Sequence, residues 1–332
     1  MLINEQISKY RPQIMGIAAI GILLVHSKGI VGWSPMTEKL FGYGGIGVYV
    51  FVFLSAIGLF HSLKSRGGYS KPEFYKRRVM RLITPYCMIA GTWYGLLDLL
   101  IERNPALFLY DISTLSFWLE HKGAWYVAML IPVYLLFPYF FDWTEKKNRD
   151  LRVLGCLVLV FISGFACNAI MPKFYEHLSQ VISSVIVYLV GFYYAGFEDK
   201  TNRSGILLSG ISCLVYIVKA VTPLKNIEFV SNFSFAMLGI PIAFISAWCI
   251  NAIKSKFLNS VLSFFGKYSL EMYLCNIFMI QAMTVFHGID FFKSIGDAHG
   301  YVTYVSVVIS GCVMSAVYGK ISALLSKRFS KW

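Results

Sequence analysis

GGIGVYVFVFLSAIGLFHSLK, residues 44–64, carries no formal charge before its last residue and no proline. A helix needs about 20 apolar residues to cross the hydrocarbon core of a bilayer, so this stretch reads as one membrane crossing. The rest of the chain repeats the pattern. Of its 332 residues 57% are hydrophobic and only 14% charged, with a mean hydropathy of +0.62, which excludes an ordinary soluble domain. Apolar runs bounded by charge and turn residues predict helices near 12–31, 44–64, 82–102, 124–142, 151–171, 179–196, 204–222, 230–252, 269–287 and 301–325. That leaves short loops and no room for a large soluble domain. The stretch from Asp111 to Glu120 is expected as a short interfacial helix or a loop. The first apolar run, after Lys9 and Arg11, exceeds the length of a signal peptide and is followed by no small-residue cleavage site, so it is expected to be an uncleaved first helix.

Cytoplasmic loops retain Lys and Arg, so alternate sides of this map can be told apart by their basic residues. With the N-terminus inside, 22 of the 30 fall on the inner side and eight on the outer. The expected fold class is therefore an all-α, polytopic membrane bundle of about ten helices with both termini cytoplasmic, multi-pass in the plasma or inner membrane. The formal charge of +13 is dispersed over short inner loops, which argues against nucleic acid as a partner. Seven cysteines lie in apolar stretches, without CxxC spacing, and point to neither a disulfide framework nor a metal site.

Ionisable groups inside crossing helices are costly and mark functional candidates. His26 follows Arg11 by fifteen positions, about 22 Å along a helix axis, which puts it in the outer leaflet. An imidazole there can take a proton near neutral pH. Asp98 stands at a similar depth in the third helix. It is expected either to accept the N–H of His26 and fix its tautomer, or to pair with Arg103 at the interface; the two readings carry equal weight. At the inner face, Lys76-Arg77-Arg78-Val79-Met80-Arg81 is the densest basic cluster. Arg78 and Arg81, three apart, would share a helix face suited to gripping phosphates, although topology alone also places basic residues there. Gly42-Tyr43-Gly44-Gly45-Ile46-Gly47 permits close backbone approach and is not a nucleotide loop, because no Lys-Ser/Thr follows the glycines. Trp125 and Tyr126 open the fourth helix where an aromatic belt is expected, and such rings also stack on sugars. Glu271 is expected to partner an inner-side arginine.

Five stretches, taken in order, resemble the acyltransferase-3 family of membrane acyltransferases, which includes bacterial polysaccharide O-acetyltransferases. Arg11 with His26 is similar to its first-helix Arg-to-His signature, at a longer interval. Gly47-Val48-Tyr49-Val50-Phe51-Val52-Phe53-Leu54-Ser55-Ala56 resembles its glycine, paired-aromatic and Ser-Gly stretch, with Ala56 where glycine is usual. Arg78-Val79-Met80-Arg81-Leu82-Ile83-Thr84-Pro85 resembles its Arg-x-x-Arg segment and following proline. Trp125-Tyr126 with Tyr134 and Pro138 resembles its Trp-aromatic helix. Gly266-Lys267-Tyr268-Ser269-Leu270-Glu271-Met272-Tyr273-Leu274 resembles its late Gly-x-x-Ser…Tyr-Leu motif, which often continues to histidine where Asn276 stands nearby here.

The resemblance implies a single transmembrane acyltransferase domain over residues 1–332 that takes an acyl-CoA donor, acetyl-CoA above all, and an acceptor hydroxyl on a surface polysaccharide or lipid-linked glycan. Lys76, Arg77, Arg78 and Arg81 would hold the CoA phosphates. His26 would be the base, with Asp98 orienting it. Arg11, Ser55, Tyr49, Trp125 and Tyr126 would bind substrate, Ser55 or Tyr49 being the candidate donors to an oxyanion. No metal is implied. The competing class is a transporter or exporter of a glycan or small polar solute, in which the same histidine and acid couple protons. Neither repeated halves nor paired broken helices are visible in the sequence.

Overall fold

A computed structural model describes residues 3–64, 70–197 and 203–329. Arg66, Lys200 and Lys331, counted above as inner-side charges, lie outside the described residues. The structure is 88% helical, with no strand among the described residues. Each of the ten expected stretches coincides with helix: α1 (Arg11–His26), α2 (Ile46–Lys64), α3 (Thr84–Tyr94), α4 (Trp125–Lys146), α5 (Arg149–Ile170), α6 (Pro172–Ala195), α7 (Arg203–Val221), α8 (Glu228–Ile253), α9 (Ser269–Val285) and α10 (Tyr301–Phe329). Among the described residues, seven helices are long and apolar enough to cross a membrane, and α9 with the bent-on segment Gly288–Ser294 makes an eighth. The two others are shorter. α1 has 16 residues, and α3 has 11 between two π-helical segments, Val79–Ile83 and Gly95–Ile101. The Asp111 to Glu120 region holds the end of one short helix, Pro105–Ile112, and the whole of another, Leu115–Glu120.

The chain divides into two compact units. The first comprises Met1–Ala18, Gly45–Tyr69 and Phe137–Lys267. Here α2 packs along α6 and α8, and missing side chains allow the approach. A Cβ on Gly191 of α6 would lie 2.9 Å from the Phe53 carbonyl oxygen, and one on Gly239 of α8 would lie 2.8 Å from the backbone of Tyr49. Arg149 closes the C-terminal end of α6. Its Nη2 donates to the carbonyls of Phe192 (3.1 Å) and Tyr193 (2.9 Å), with the guanidinium 4.9 Å from the Phe60 ring centroid. Carbonyls left unpaired at a helix end and the negative end of its dipole are thereby matched to a cation. α6 starts earlier than position 179 because Pro172 is accommodated in a first turn and because Ser183 and Ser184, which dilute the apolar pattern, are wholly buried. α5 and α7 bury only 11% of their apolar windows, against 67% for Pro35–Lys64, and turn Leu151, Leu159, Ile206 and Leu214 outward. An apolar exterior of this kind fits a hydrocarbon solvent.

The second unit comprises Ala19–Gly44, Ser70–Leu136 and Tyr268–Trp332. α9 packs along α10 and α3, with Phe278 stacked on Trp93 at 6.1 Å and edge-on to Tyr94 at 5.5 Å. Ser70 caps the helix Lys71–Arg78: its Oγ accepts from the Glu73 backbone N–H at 3.2 Å, and Pro72 occupies the first turn. Lys76, Arg77 and Arg78 fill the last turn of that helix, where cations complement the dipole. Asp297 caps α10, accepting from the Thr303 N–H (2.8 Å) and hydroxyl (2.7 Å).

Candidate active site

His26 is the last residue of α1, and the chain turns immediately after it. The turn is held from both sides. The Ser27 hydroxyl donates to the Leu24 carbonyl (2.6 Å) and accepts from the Trp33 indole N–H (2.8 Å), while Trp33 sets its ring edge-on to Phe41 (5.1 Å) and Tyr301 (5.3 Å). Gly32 donates its N–H to the His299 carbonyl at 3.0 Å. Gly300 lies against Ile30 with φ +72°, where a Cβ would come within 2.1 Å of the Ile30 carbonyl oxygen, so this crossing of two loops requires glycine.

His26 itself is half-buried, and its Nδ1–H donates to Oδ1 of Asn276 at 2.8 Å. Asn276 sits in α9 and is 1% exposed. On the preceding turn of α1, the Leu23 carbonyl accepts a short hydrogen bond from the Tyr304 hydroxyl of α10. Two helices, α9 and α10, thus converge on the end of α1, and among the described residues the histidine is hydrogen-bonded through one ring nitrogen only. The amide oxygen accepts and cannot donate, so it fixes the proton on Nδ1 and leaves the Nε2 lone pair available as a base.

The structure brings Asn276, rather than Asp98, to His26. Asp98 lies in the π-helical segment Gly95–Ile101, 3% exposed, and its Oδ2 makes no hydrogen bond among the described residues. Its electrostatic neighbours are Asp111, Glu102 and Tyr94, and no ion pair joins it to Arg103 among the described residues. Neither sequence expectation for Asp98 is therefore realised as a contact.

In the basic cluster, Arg77 is engaged in an ion pair with Glu73 one turn earlier. Arg78 is half-buried, with its guanidinium over the rings of Phe74 (5.4 Å) and Tyr134 (5.8 Å), whereas Lys76 and Arg81 are exposed. The π-helical turn Val79–Ile83 has more residues per turn than an α-helix and alters the register between Arg78 and Arg81. Glu271 of α9 interacts electrostatically with Arg81, the kind of pairing its position led us to expect. Trp125 and Tyr126 are half-buried; the Tyr126 N–H donates to the Tyr273 hydroxyl at 3.4 Å, and their rings meet edge-on at 5.9 Å.

Arg11, Tyr49 and Ser55 belong to the first unit. Arg11 lies across Gly58 of α2, where a Cβ would sit 1.9 Å from its Nη1. With His61, Glu5, Ser8 and Tyr194 it lines a cavity of about 470 Å³. Tyr49 is buried edge-on to Phe235, and Ser55 is half-buried one helical turn before Leu59. No group of three His, Cys, Asp or Glu able to hold a metal occurs among the described residues.

Sequence reasoning noted Asn276 only as a departure from the late motif and missed Tyr304. The first signal was present in the spacing of Tyr273-Leu274-Cys275-Asn276; for the second there was none, since a tyrosine near the start of an apolar helix is also what an aromatic belt provides. No curated protein and no solved structure matches this chain. A family model does, however. The acyltransferase-3 model, described as an acyltransferase domain, matches residues 14–317, from the first turns of α1 into α10 and across every element described above. The chain belongs to the acyltransferase-3 family.

Proposed function

We propose that this membrane acyltransferase is an acyl-CoA-dependent O-acyltransferase. It moves an acyl group, most readily acetyl, from a cytoplasmic donor to a hydroxyl of an extracytoplasmic polysaccharide or lipid-linked glycan. About ten crossings with both termini inside would put His26 toward the outer side of the plasma or inner membrane and the Arg78–Arg81 segment toward the cytoplasm. The observation that carries this reading is the hydrogen bond from His26 Nδ1 to Asn276, the one bond of this ring among the described residues, which leaves Nε2 as the proton-accepting atom of a half-buried ring. Nε2 takes the proton of the acceptor hydroxyl as its oxygen attacks the thioester carbonyl. When the tetrahedral intermediate collapses, the carbon–sulfur bond breaks, and the thiolate of CoA leaves and recovers that proton from Nε2–H. The products are the ester and free CoA thiol. Arg78 and Arg81 meet the phosphates of the donor as fixed cations, a role guanidinium groups fill well.

Membranes containing the protein should incorporate label from radiolabelled acetyl-CoA into glycan, and His26→Ala should abolish incorporation while the variant still inserts. Undiminished transfer in His26→Ala would remove the mechanism. Glycan flux through proteoliposomes without any acyl donor would instead identify a transporter.

A further inference from the structure

The reaction set out above makes no use of the cavity of about 470 Å³ in the first unit, a volume typical of small-ligand sites. It lies where α1 begins and where α2 and α6 end, and all the residues that line it belong to that unit. Its long wall is one face of α2. Leu54, Ile57, Gly58 and His61 follow at the i, i+3, i+4, i+7 spacing that keeps side chains on one side of a helix. Over about 10 Å of helix axis the wall changes from apolar to polar. Leu54 is 1% exposed, whereas His61 is exposed at the end of the crossing.

The polar end is held firmly. The first turn of α1 is pressed onto Gly266, where a Cβ would lie 1.7 Å from the Pro12 carbonyl oxygen, and the half-buried Arg11 guanidinium crosses Gly58 of α2. The helix Ile3–Lys9 packs on α8 through the buried Ile7, and just beyond it the Tyr10 hydroxyl donates to Asn251 Oδ1 at 3.1 Å. From this helix Glu5 and Ser8 complete the rim of the cavity. The opening therefore presents a guanidinium, an imidazole that interacts electrostatically with it, a carboxylate and a hydroxyl.

Adjacent guanidinium and imidazole donors match the oxygens of a phosphate. Glu5 does not, because a plain phosphate would set like charges on one rim. A head group that carries an ammonium two carbons from its phosphate satisfies both. Deeper in, Leu54, Ile57 and the outward-turned Phe197 suit hydrocarbon. We propose that this cavity binds a phospholipid with an ethanolamine head group. Its phosphate accepts from Arg11 and His61, its ammonium donates to Glu5, and the start of an acyl chain follows Leu54 and Ile57. This gives Arg11 to a lipid in place of the substrate role that the resemblance implies, and it does not depend on acyl transfer.

The phosphates of an acyl-CoA donor offer the same acceptor chemistry, so the test separates the two sources. Delipidated protein in detergent is titrated with dioleoyl phosphatidylethanolamine or dioleoyl phosphatidylcholine, and bound lipid is counted by native mass spectrometry with Tm followed in parallel. The two lipids have the same net charge, but only the ethanolamine has N–H groups to give. It should bind about threefold more tightly and raise Tm further, and Glu5→Ala should abolish that preference while changing the affinity for the choline lipid less than about twofold. Arg11→Gln should weaken both lipids about 10-fold. Equal affinities in the unaltered protein overturn the assignment, as does a preference that survives Glu5→Ala. Displacement of the ethanolamine lipid by acetyl-CoA gives the cavity to the donor and overturns it too. If Arg11→Gln fails to accumulate, the preference of the unaltered protein and its loss on trimming the exposed Glu5 decide the matter.

Discussion

The end of α1 and the segment Lys71–Ile83 lie in the same unit and are built in opposite ways. At His26, side chains and backbone from α1, α9, α10 and two loops interlock through directional hydrogen bonds that are buried or partly buried. In the basic segment, Arg78 rests on two rings, Arg77 pairs with a neighbour on its own helix, and Lys76 and Arg81 are exposed. The first arrangement fixes a proton and a lone pair to within a hydrogen bond's tolerance; the second supplies charge with little constraint on geometry. A reacting centre requires the former, and a grip on phosphates, whose oxygens accept from many directions, works with the latter.

This contrast is broken most directly at His26. His26→Ala is expected to lower transfer by about 10²–10⁴-fold at every donor concentration, measured as label entering glycan. At the other region the loss should appear in binding. Arg81→Ala and Arg78→Ala are each expected to raise the donor KM about 10-fold with kcat nearly kept, and the effect of the exposed Arg81 should shrink more in high salt. Equal kcat losses in both regions would erase the distinction. Asp98→Asn sharpens it, because a buried carboxylate that does not touch His26 should cost less than about 10-fold in kcat, below the loss from Asn276→Ala. Gly300→Ala tests the loop crossing beside the site and is expected to destabilise the protein by about 1–3 kcal/mol, read as a lower Tm in detergent. The smallest effect concerns acid. Burial opposes the charge of Asp297, but bonds from Thr303 and the N-H groups of Val302 and Tyr301 outweigh it and hold its carboxyl below the usual range. A carboxyl depressed on folding contributes its full stability at neutral pH and loses it as pH falls below the ordinary carboxylate range through the lowered folded value. The Tm of the parent should therefore drop more steeply below pH 4 than that of Asp297→Asn.

The helices were legible because a membrane imposes one crude requirement, a long apolar run, on most of them; all ten stretches coincide with helix, with ends shifted by up to eight residues. The π-helical turns on either side of α3 were not, since a single surplus residue leaves no mark in an apolar sequence. His26 was legible as an ionisable group where one is costly. Its partner was not. Asp98 was the chemically natural choice at a matching depth, and only the packing of α9 against the end of α1 brings in Asn276, 250 positions away. Sequence shows which groups are expensive to bury but not which polar neighbour meets them.

The outward-facing helices α5 and α7 carry a consequence of their own. Many of their side chains are exposed on the outer surface, so at those positions Leu, Ile, Val and Phe should be interchangeable, while an added Lys or Asp near mid-helix should be rejected at insertion. Related chains should accordingly drift fastest along these two helices, and a surfactant that extracts the protein should gather around them first.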